Sequence, residues 1–272
     1  MSRLKDADDF GQRMKQYEAV ETSRRFDVRL PVYARIDGRA FSHFTQGMEK
    51  PFDSRLIAAM QATTAHLVHH THARIGYTQS DEISLVWLAD TDGSDIFFSG
   101  KVQKMVSVLA SLAAAKFATV CPTGFQSRLP HFDARVFQLP SKAEAANVFL
   151  WRAMDAKKNS ISMVAQSLFS PKQLHGKNQI NMLEMIKEAG VEYTAYSAAE
   201  RLGTFFRRRS MERHLTEEEL AAIPTARRPL GPVLRTEIEI LDVPQFNRVT
   251  NREAVIFDGA LPSALEQKES AG

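Results

Sequence analysis

The 272-residue sequence predicts an α+β fold of the ferredoxin-type split βαβ kind, an antiparallel sheet with helices on one face. Three observations carry that expectation. Short segments with a two-residue apolar period alternate with longer segments of helical period. Over the first two-thirds of the chain they run strand, helix, hairpin, helix, strand, helix. The hairpin falls between two long helical segments, as a split βαβ arrangement requires.

The first strand is residues 30–37, where Val32, Ala34 and Ile36 alternate with Tyr33 and Arg35. It ends at Asp37-Gly38-Arg39, where glycine permits a tight turn and a close approach of backbone to ligand. Residues 40–46 read as a short helix. Asp53 can cap the next helix, whose buried stripe is Leu56, Met60, Leu67 and Val68. Residues 74–79 and 82–87 read as two short strands, with Ser80-Asp81 near the turn between them. Val102, Met105, Val106, Leu109, Leu112 and Ala113 stand at helical spacing, and Pro122 and Gly124 end that helix. Residues 131–139 form a strand, and Ser141 starts a helix that carries Trp151-Arg152.

Further on, residues 178–189 look helical, and residues 204–206 and 233–241 look like strands. The polar stretch 210–231, ending in Pro229 and Gly231, reads as a helical excursion or a loop. Residues 1–140 are thus expected to form one unit, the core of the fold. Residues 141–272 are a C-terminal α/β extension that completes the fold and adds a basic surface.

Composition narrows the class. The chain is 44% hydrophobic and 25% charged, which suits a globular protein rather than a disordered one. It has no run of about 18 apolar residues and no apolar signal core at its start, so the cytoplasm is the expected location. The single cysteine, Cys121, excludes an internal disulfide and a cysteine-rich zinc site, and reads as buried packing. The net charge is +3 and the pI about 9.0, a weak hint of a polyanionic partner. Locally, Arg201, Arg207, Arg208, Arg209 and Arg213 crowd one stretch, followed by Arg227 and Arg228, while Lys157 and Lys158 make a second basic spot. Each alone reads as surface charge; together they suit a phosphate backbone.

Two acids stand where acids are costly. Asp37 ends an apolar strand, and Asp81 lies at the hairpin turn beside another. In a split βαβ sheet these two places can be neighbours. Paired carboxylates repel unless a proton or a cation compensates them. Mg²⁺ suits such a pair, since it takes one or two carboxylates plus phosphate oxygens. Spacing alone fits a turn-forming Asp37 and an ordinary hairpin acid equally well.

The motifs around the pair carry a resemblance. Asp37-Gly38-Arg39-Ala40-Phe41, Lys50-Pro51 and Ser80-Asp81-Glu82-Ile83-Ser84 resemble the signature of the tRNA(His) guanylyltransferase family. So do Phe132-Asp133-Ala134-Arg135, Trp151-Arg152 with Asp155 and Asn159, and Arg201-Leu202-Gly203-Thr204. No single motif is specific, but their order is, over roughly residues 10 to 210.

The resemblance implies a palm-like catalytic core that adds nucleotides to tRNA in the 3′-to-5′ direction. ATP would activate the 5′ end, and the 3′-hydroxyl of GTP or another nucleoside triphosphate would then attack. It implies two Mg²⁺ ions on Asp37, the Gly38 carbonyl and Asp81, and makes Asp37, Asp81 and Glu82 the catalytic acids. Asp37, Gly38, Arg39, Ala40, Phe41, Ser42, Ser80 and Asp81 would contact the nucleotide, and Lys50 and Lys104 would neutralise its phosphates. Glu82 would support the metal shell; the plain alternative is outward strand polarity. Lys157, Asn159, Arg207 and Arg208 are the candidate tRNA contacts. Family members are often homotetramers.

Two departures bear on the substrate. Eukaryotic enzymes specific for tRNA(His) carry a histidine after Asp-Cys in the Trp-Arg helix, whereas here Asp155-Ala156 precedes Lys157. They also carry histidine where this chain has Ser42, with His43 one place later. The chain looks more like the bacterial and archaeal guanylyltransferase-like proteins, so tRNA 5′-end repair is expected over G−1 addition to tRNA(His). A palm-fold nucleotide cyclase and a catalytically idle tRNA-binding protein are the competing readings. His66, His69, His70 and His72 are a weak metal cluster, better read as cations near a helix C-terminus.

Overall fold

A computed structural model describes residues 2–89 and 94–264, with side chains from residue 9 on; residues 265–272 of the expected extension lie outside it. In chain order the elements are α1 (Ser2–Thr22), β1 (Val32–Gly38), α2 (Phe41–Phe44), α3 (Ser54–Thr71), β2 (Ile75–Gln79) and β3 (Glu82–Trp87). There follow α4 (Val102–Val120), β4 (Phe132–Gln138), α5 (Lys142–Leu168), α6 (Pro171–Leu174), α7 (Gln179–Glu188) and α8 (Ala198–Leu202). The chain continues through β5 (Thr204–Arg213), α9 (Glu217–Ala221), β6 (Val233–Leu241) and α10 (Arg252–Phe257). The described strands form one sheet in the order β4-β1-β3-β2-β5-β6, and every neighbouring pair is antiparallel.

Helices α3 and α4 cover one face. Val32, Ala34, Ile36, Ile83, Leu85 and Trp87 pack there against Met60, Leu67, Met105, Leu109 and Phe117. The opposite face carries Tyr33, Ile75, Tyr77, Val86 and Phe205, and it packs on Ala145, Phe149 and Ala153 of α5. The expected single helical face is therefore corrected to helices on both. Every residue of β2 and β3 is buried, so neither face of those strands is left for water, and each must be covered. Among the described residues no helix is long and apolar enough to cross a membrane.

The helix starts follow local chemistry. Asp53 caps α3, accepting from the amides of Arg55 at 2.9 Å and Leu56 at 3.4 Å. Hydrogen bonds from the Arg55 guanidinium hold the Asp53 carboxyl well below the usual carboxylate range. Ser141 caps α5. The stretch 210–231 departs from expectation at its start: β5 runs on to Arg213 because β6 pairs with it from Phe205↔Leu241 to Arg213↔Val233. Opposed charges such as Arg209 and Glu237 sit directly across that ladder. The polar start of the chain forms α1, whose described side chains are nearly all exposed.

The α8–β5 junction is held on β2. Gly203 has φ +78, and a Cβ there would lie 2.5 Å from the Thr78 carbonyl oxygen. The Tyr77 hydroxyl donates to the Leu202 carbonyl at 2.7 Å. Gly203→Ala should therefore destabilise the fold by on the order of 1–3 kcal/mol, measured by chemical denaturation. An unchanged midpoint would show that this turn can move off β2.

Candidate active site

The register of the sheet assembles the site. On β1, Asp37 lies across from Glu82 of β3 on one side and Asp133 of β4 on the other. Residues directly opposite share a face, so three carboxylates stand in a row on the α5 side. Asp81 enters from the β2–β3 turn. The Gly38 amide donates to the Asp81 carbonyl at 3.0 Å, which ties the end of β1 to that turn.

Two non-glycine residues flank the pair in left-handed backbone, Ala40 at φ 54 and Ser80 at φ 50. Such conformations persist where the surroundings over-determine them, and they cluster at functional sites. The Ser80 hydroxyl donates to the Asp81 carboxylate at 3.1 Å. Gly38 is required by close approach, since a Cβ there would come within 2.4 Å of the Phe41 ring. That ring stacks on Phe44 at 4.9 Å and meets Phe117 edge-on at 5.5 Å.

Both acids are electrostatically loaded. Burial pushes the Asp81 carboxyl up, and the charge of Asp37 pushes it further. Burial also raises Asp37, with Asp133 adding to the rise and Arg35 and Arg152 opposing it. Among the described residues no three His, Cys, Asp or Glu side chains converge as a metal cage. The arrangement is two carboxylates beside a cavity, an all-oxygen donor set of the size a hard dication accepts when a phosphate completes its shell.

Glu82 is neither outward-facing nor free. It is buried, and Arg152 of α5 grips it through two hydrogen bonds, Nε to Oε1 at 2.7 Å and Nη2 to Oε2 at 2.5 Å. The same Nη2 donates to Asp155 at 3.0 Å. Burial raises the Glu82 carboxyl, and the Arg152 hydrogen bonds work against that rise. The sequence alone gives Arg152 no role. Its signal was the Arg-x-x-Asp spacing, which places Arg152 and Asp155 on one helical face.

A cavity of about 350 Å³ opens beside Asp81, within the range of small-molecule sites. Of the expected nucleotide contacts, Phe41, Ser42, Lys50, Ser80 and Asp81 line it. Asp37, Gly38, Arg39 and Ala40 form the adjoining strand end and turn. Asn159, a candidate tRNA contact, lines this cavity, and so does Arg201, whose Nε donates to the Tyr196 carbonyl at 2.7 Å.

Other expected residues lie elsewhere. Lys104 sits in the first turn of α4, with its ammonium 5.7 Å from the Phe98 ring centroid. Phe117, thirteen residues further along α4, is the one that reaches Phe41, so Lys104 is roughly 20 Å of helix from the cavity end. The direction of α4 thus keeps Lys104 away from this chain's own cavity. Arg207 is buried, donating to Glu239 at 2.6 Å and to the Ala260 carbonyl at 2.9 Å, so its guanidinium is committed within the chain rather than displayed to RNA. Arg208 is partly buried on the same strand. Lys157 donates to Gln245 at 3.3 Å. The His66 and His70 rings stack at 3.8 Å on α3, and Cys121 is a buried free thiol.

The model of the tRNAHis guanylyltransferase (Thg1) family matches residues 11–140. A bacterial tRNA(His) guanylyltransferase (Thg1)-like protein in complex with ATP superposes with a TM-score of 0.69 at 38% identity, covering 73% of this chain and 88% of that one. A second such structure, in complex with GTP, gives 0.70 at 30% identity, covering 88% and 94%. The tRNA(His) guanylyltransferase of Debaryomyces hansenii is 26% identical over 212 residues, 70% of this chain and 78% of its own length.

Two outcomes are expected. With their pKa values raised, Asp37 and Asp81 bind protons more tightly in the metal-free folded chain than in the unfolded chain. Their contribution is therefore fully present below the ordinary carboxylate value of 3.8 and is lost as pH rises through the raised values. Asp81→Asn should raise the metal-free Tm, about 2–4 °C for each kcal/mol of repulsion removed. Its advantage over wild type should grow with pH above 3.8; a constant or negative difference would contradict the loading. Arg152→Met should cost about 3–5 kcal/mol in chemical denaturation, because it leaves Glu82 buried and unpaired. Adding Glu82→Gln to it should recover part of that loss.

Proposed function

The chain belongs to the tRNAHis guanylyltransferase (Thg1) family and is a nucleotidyltransferase, and we propose that it extends the 5′ end of tRNA in the 3′-to-5′ direction with Mg²⁺ held by Asp37, the Gly38 carbonyl and Asp81. The observation that carries this is the pair itself. Burial raises both carboxyls, the charge of Asp37 raises Asp81 further, and Asp81 lines a cavity of about 350 Å³ with Asp37 on the adjoining strand end. The bacterial relatives in complex with ATP and GTP support a nucleotide as the occupant of that cavity. Bound Mg²⁺, as two ions, would supply the charge that activates an attacking hydroxyl and stabilises a leaving oxygen.

The chain's own groups do the rest. Lys50 and Arg201 bring positive charge to a triphosphate in the cavity, Arg201 already oriented by the Tyr196 carbonyl. The Ser42 hydroxyl and the amides of residues 40–42 supply neutral donors, while the Ser80 hydroxyl orients the Asp81 carboxylate. Phe41, fixed by Phe44 and Phe117, gives the base an apolar wall. Arg152 holds Glu82, and with it the start of β3 next to Asp81. We read residues 1–140 as the palm-like core, and residues 141–272 as completing the fold while supplying Arg152, Asn159 and Arg201.

In this reaction the tRNA 5′-phosphate attacks the α-phosphate of ATP and displaces pyrophosphate, and the 3′-hydroxyl of an incoming nucleoside triphosphate then attacks the activated 5′-phosphate and displaces AMP. Ser42 and Lys157 stand where tRNA(His)-specific enzymes carry histidine, which favours repair of truncated 5′ ends over G−1 addition. The test combines the protein with Mg²⁺, labelled nucleoside triphosphates and a tRNA lacking its 5′ nucleotide. Label should appear at the 5′ end, and Asp37→Ala or Asp81→Ala should reduce it more than about 100-fold, given that metal charge stabilisation is worth several kcal/mol. Cyclic nucleotide formed without RNA would replace this reading with a cyclase, and tight tRNA binding without product would replace it with an idle binder. A strong preference for tRNA(His) would overturn the repair assignment.

A further inference from the structure

The loop 121–131 joins α4 to β4 and lines no part of the cavity beside Asp81. It nevertheless grips the segment that does. The His131 carbonyl accepts from the Arg39 amide at 2.8 Å, at the end of β1. Arg128 reaches back to the end of α2. Its Nη1 donates to the Phe44 carbonyl at 2.5 Å and to the Gln46 carbonyl at 2.7 Å, with the His43 carbonyl at 3.5 Å.

The gripped segment needs a hold from outside. Helix α2 is one turn of four residues, too short to persist on its own backbone bonds. The last carbonyls of a helix lack partners within it, and a cationic side chain suits them. Arg128 supplies that cation, and its guanidinium is spent on carbonyls rather than on a carboxylate. Further along, the Asp53 carboxylate accepts from the Glu49 amide at 3.1 Å and is itself held by the Arg55 guanidinium. The Phe125 ring serves both arginines, with Arg128 Cζ 4.8 Å and Arg55 Cζ 5.8 Å from its centroid. Residues 43–49 are thus fastened at both ends, and the two fastenings meet on one aromatic ring.

We propose that Arg128 is a positioning residue for the nucleotide: by capping α2 it sets Phe41, Ser42, Thr45 and Lys50 in the cavity wall. It touches no substrate and acts through that segment. The inference rests on a nucleotide occupying the cavity, not on the order of the transfer steps. Without the cap the segment samples more conformations, and a nucleotide must order it on binding, which weakens affinity. Asp37 and Asp81 are placed by the pairing of β1 with β3 instead. Chemistry at saturating nucleotide therefore survives a loss that binding does not.

The measurement is GTP affinity of the full-length protein with Mg²⁺, alongside Tm and the KM and kcat of nucleotide addition to a 5′-truncated tRNA. Arg128→Met should weaken GTP binding about tenfold and raise KM with it, while kcat stays within about threefold of wild type. Arg128→Lys, which can still donate to the two carbonyls, should recover most of that affinity; a loss as deep as in Arg128→Met would overturn the assignment. Phe125→Leu, which removes the ring and keeps an apolar side chain, should weaken GTP binding about threefold. Wild-type GTP affinity in both Arg128→Met and Phe125→Leu would overturn the assignment and leave the proposed reaction standing. A lower kcat and Tm at unchanged KM and GTP affinity would make Arg128 a folding residue only, and overturn it too. GTP bound but not transferred by the wild type would overturn the reaction alone, since affinity still decides the role of Arg128. No GTP binding by the wild type would overturn the nucleotide reading and this inference with it.

Discussion

Asp37 reaches Asp81 because β1 and β3 pair in one register, with Asp37 opposite Glu82 and the Gly38 amide bonded to the Asp81 carbonyl. Side chains alternate between faces along a strand, so a slip of one residue would carry Asp37 to the α3–α4 side of the sheet. Ile36 would then turn toward the polar row that now holds Asp37, Glu82 and Asp133. The register is defended on both faces. Val32, Ala34 and Ile36 are wholly buried against one helical layer, and Tyr33 is wholly buried against α5. Moving them would expose apolar area worth about 1.5–3 kcal/mol for each large side chain.

Arg152 couples the second layer to the same strand end. A buried ion pair adds little net stability, because desolvation offsets the attraction, while loss of one partner is severe. Its value here is positional. Glu82 is fixed on α5, Glu82 begins β3, and Asp81 is the residue before it. The carboxylate pair can thus stay close in a partly desolvated site without a neighbouring third acid collapsing onto it. The strained backbone at Ala40 and Ser80 fits the same picture, with the surrounding core over-determining both turns.

Much of this was written locally in the chain. The alternation before Asp37, the two-residue turn at Ser80-Asp81 and the caps at Asp53 and Ser141 depend on near neighbours, and each appears where the residues place it. What escaped depends on distant partners. Arg207 reads as a surface cation until Glu239 and Ala260, far along the chain, are known to close on it. Lys104 fits a motif, but only the direction of α4 shows that Phe117, not Lys104, meets the site. The second helical face escaped as well, because the unbroken burial of β2 and β3 shows only once α5, distant in the chain, packs on them. Arg201 belongs to a recognisable motif, but only the folding of α8 over β2 brings it to the cavity.

The central claim is that Asp37 and Asp81 jointly hold the catalytic metal. Anomalous scattering from crystals grown with Mn²⁺ and a non-hydrolysable nucleoside triphosphate tests it most directly. The account predicts metal peaks at coordination distance, about 2.0–2.3 Å, from carboxylate oxygens of both residues, with the triphosphate in the cavity lined by Ser42, Lys50 and Ser80. A nucleotide bound in that cavity with its metal elsewhere, and both carboxylates uncoordinated, would contradict it.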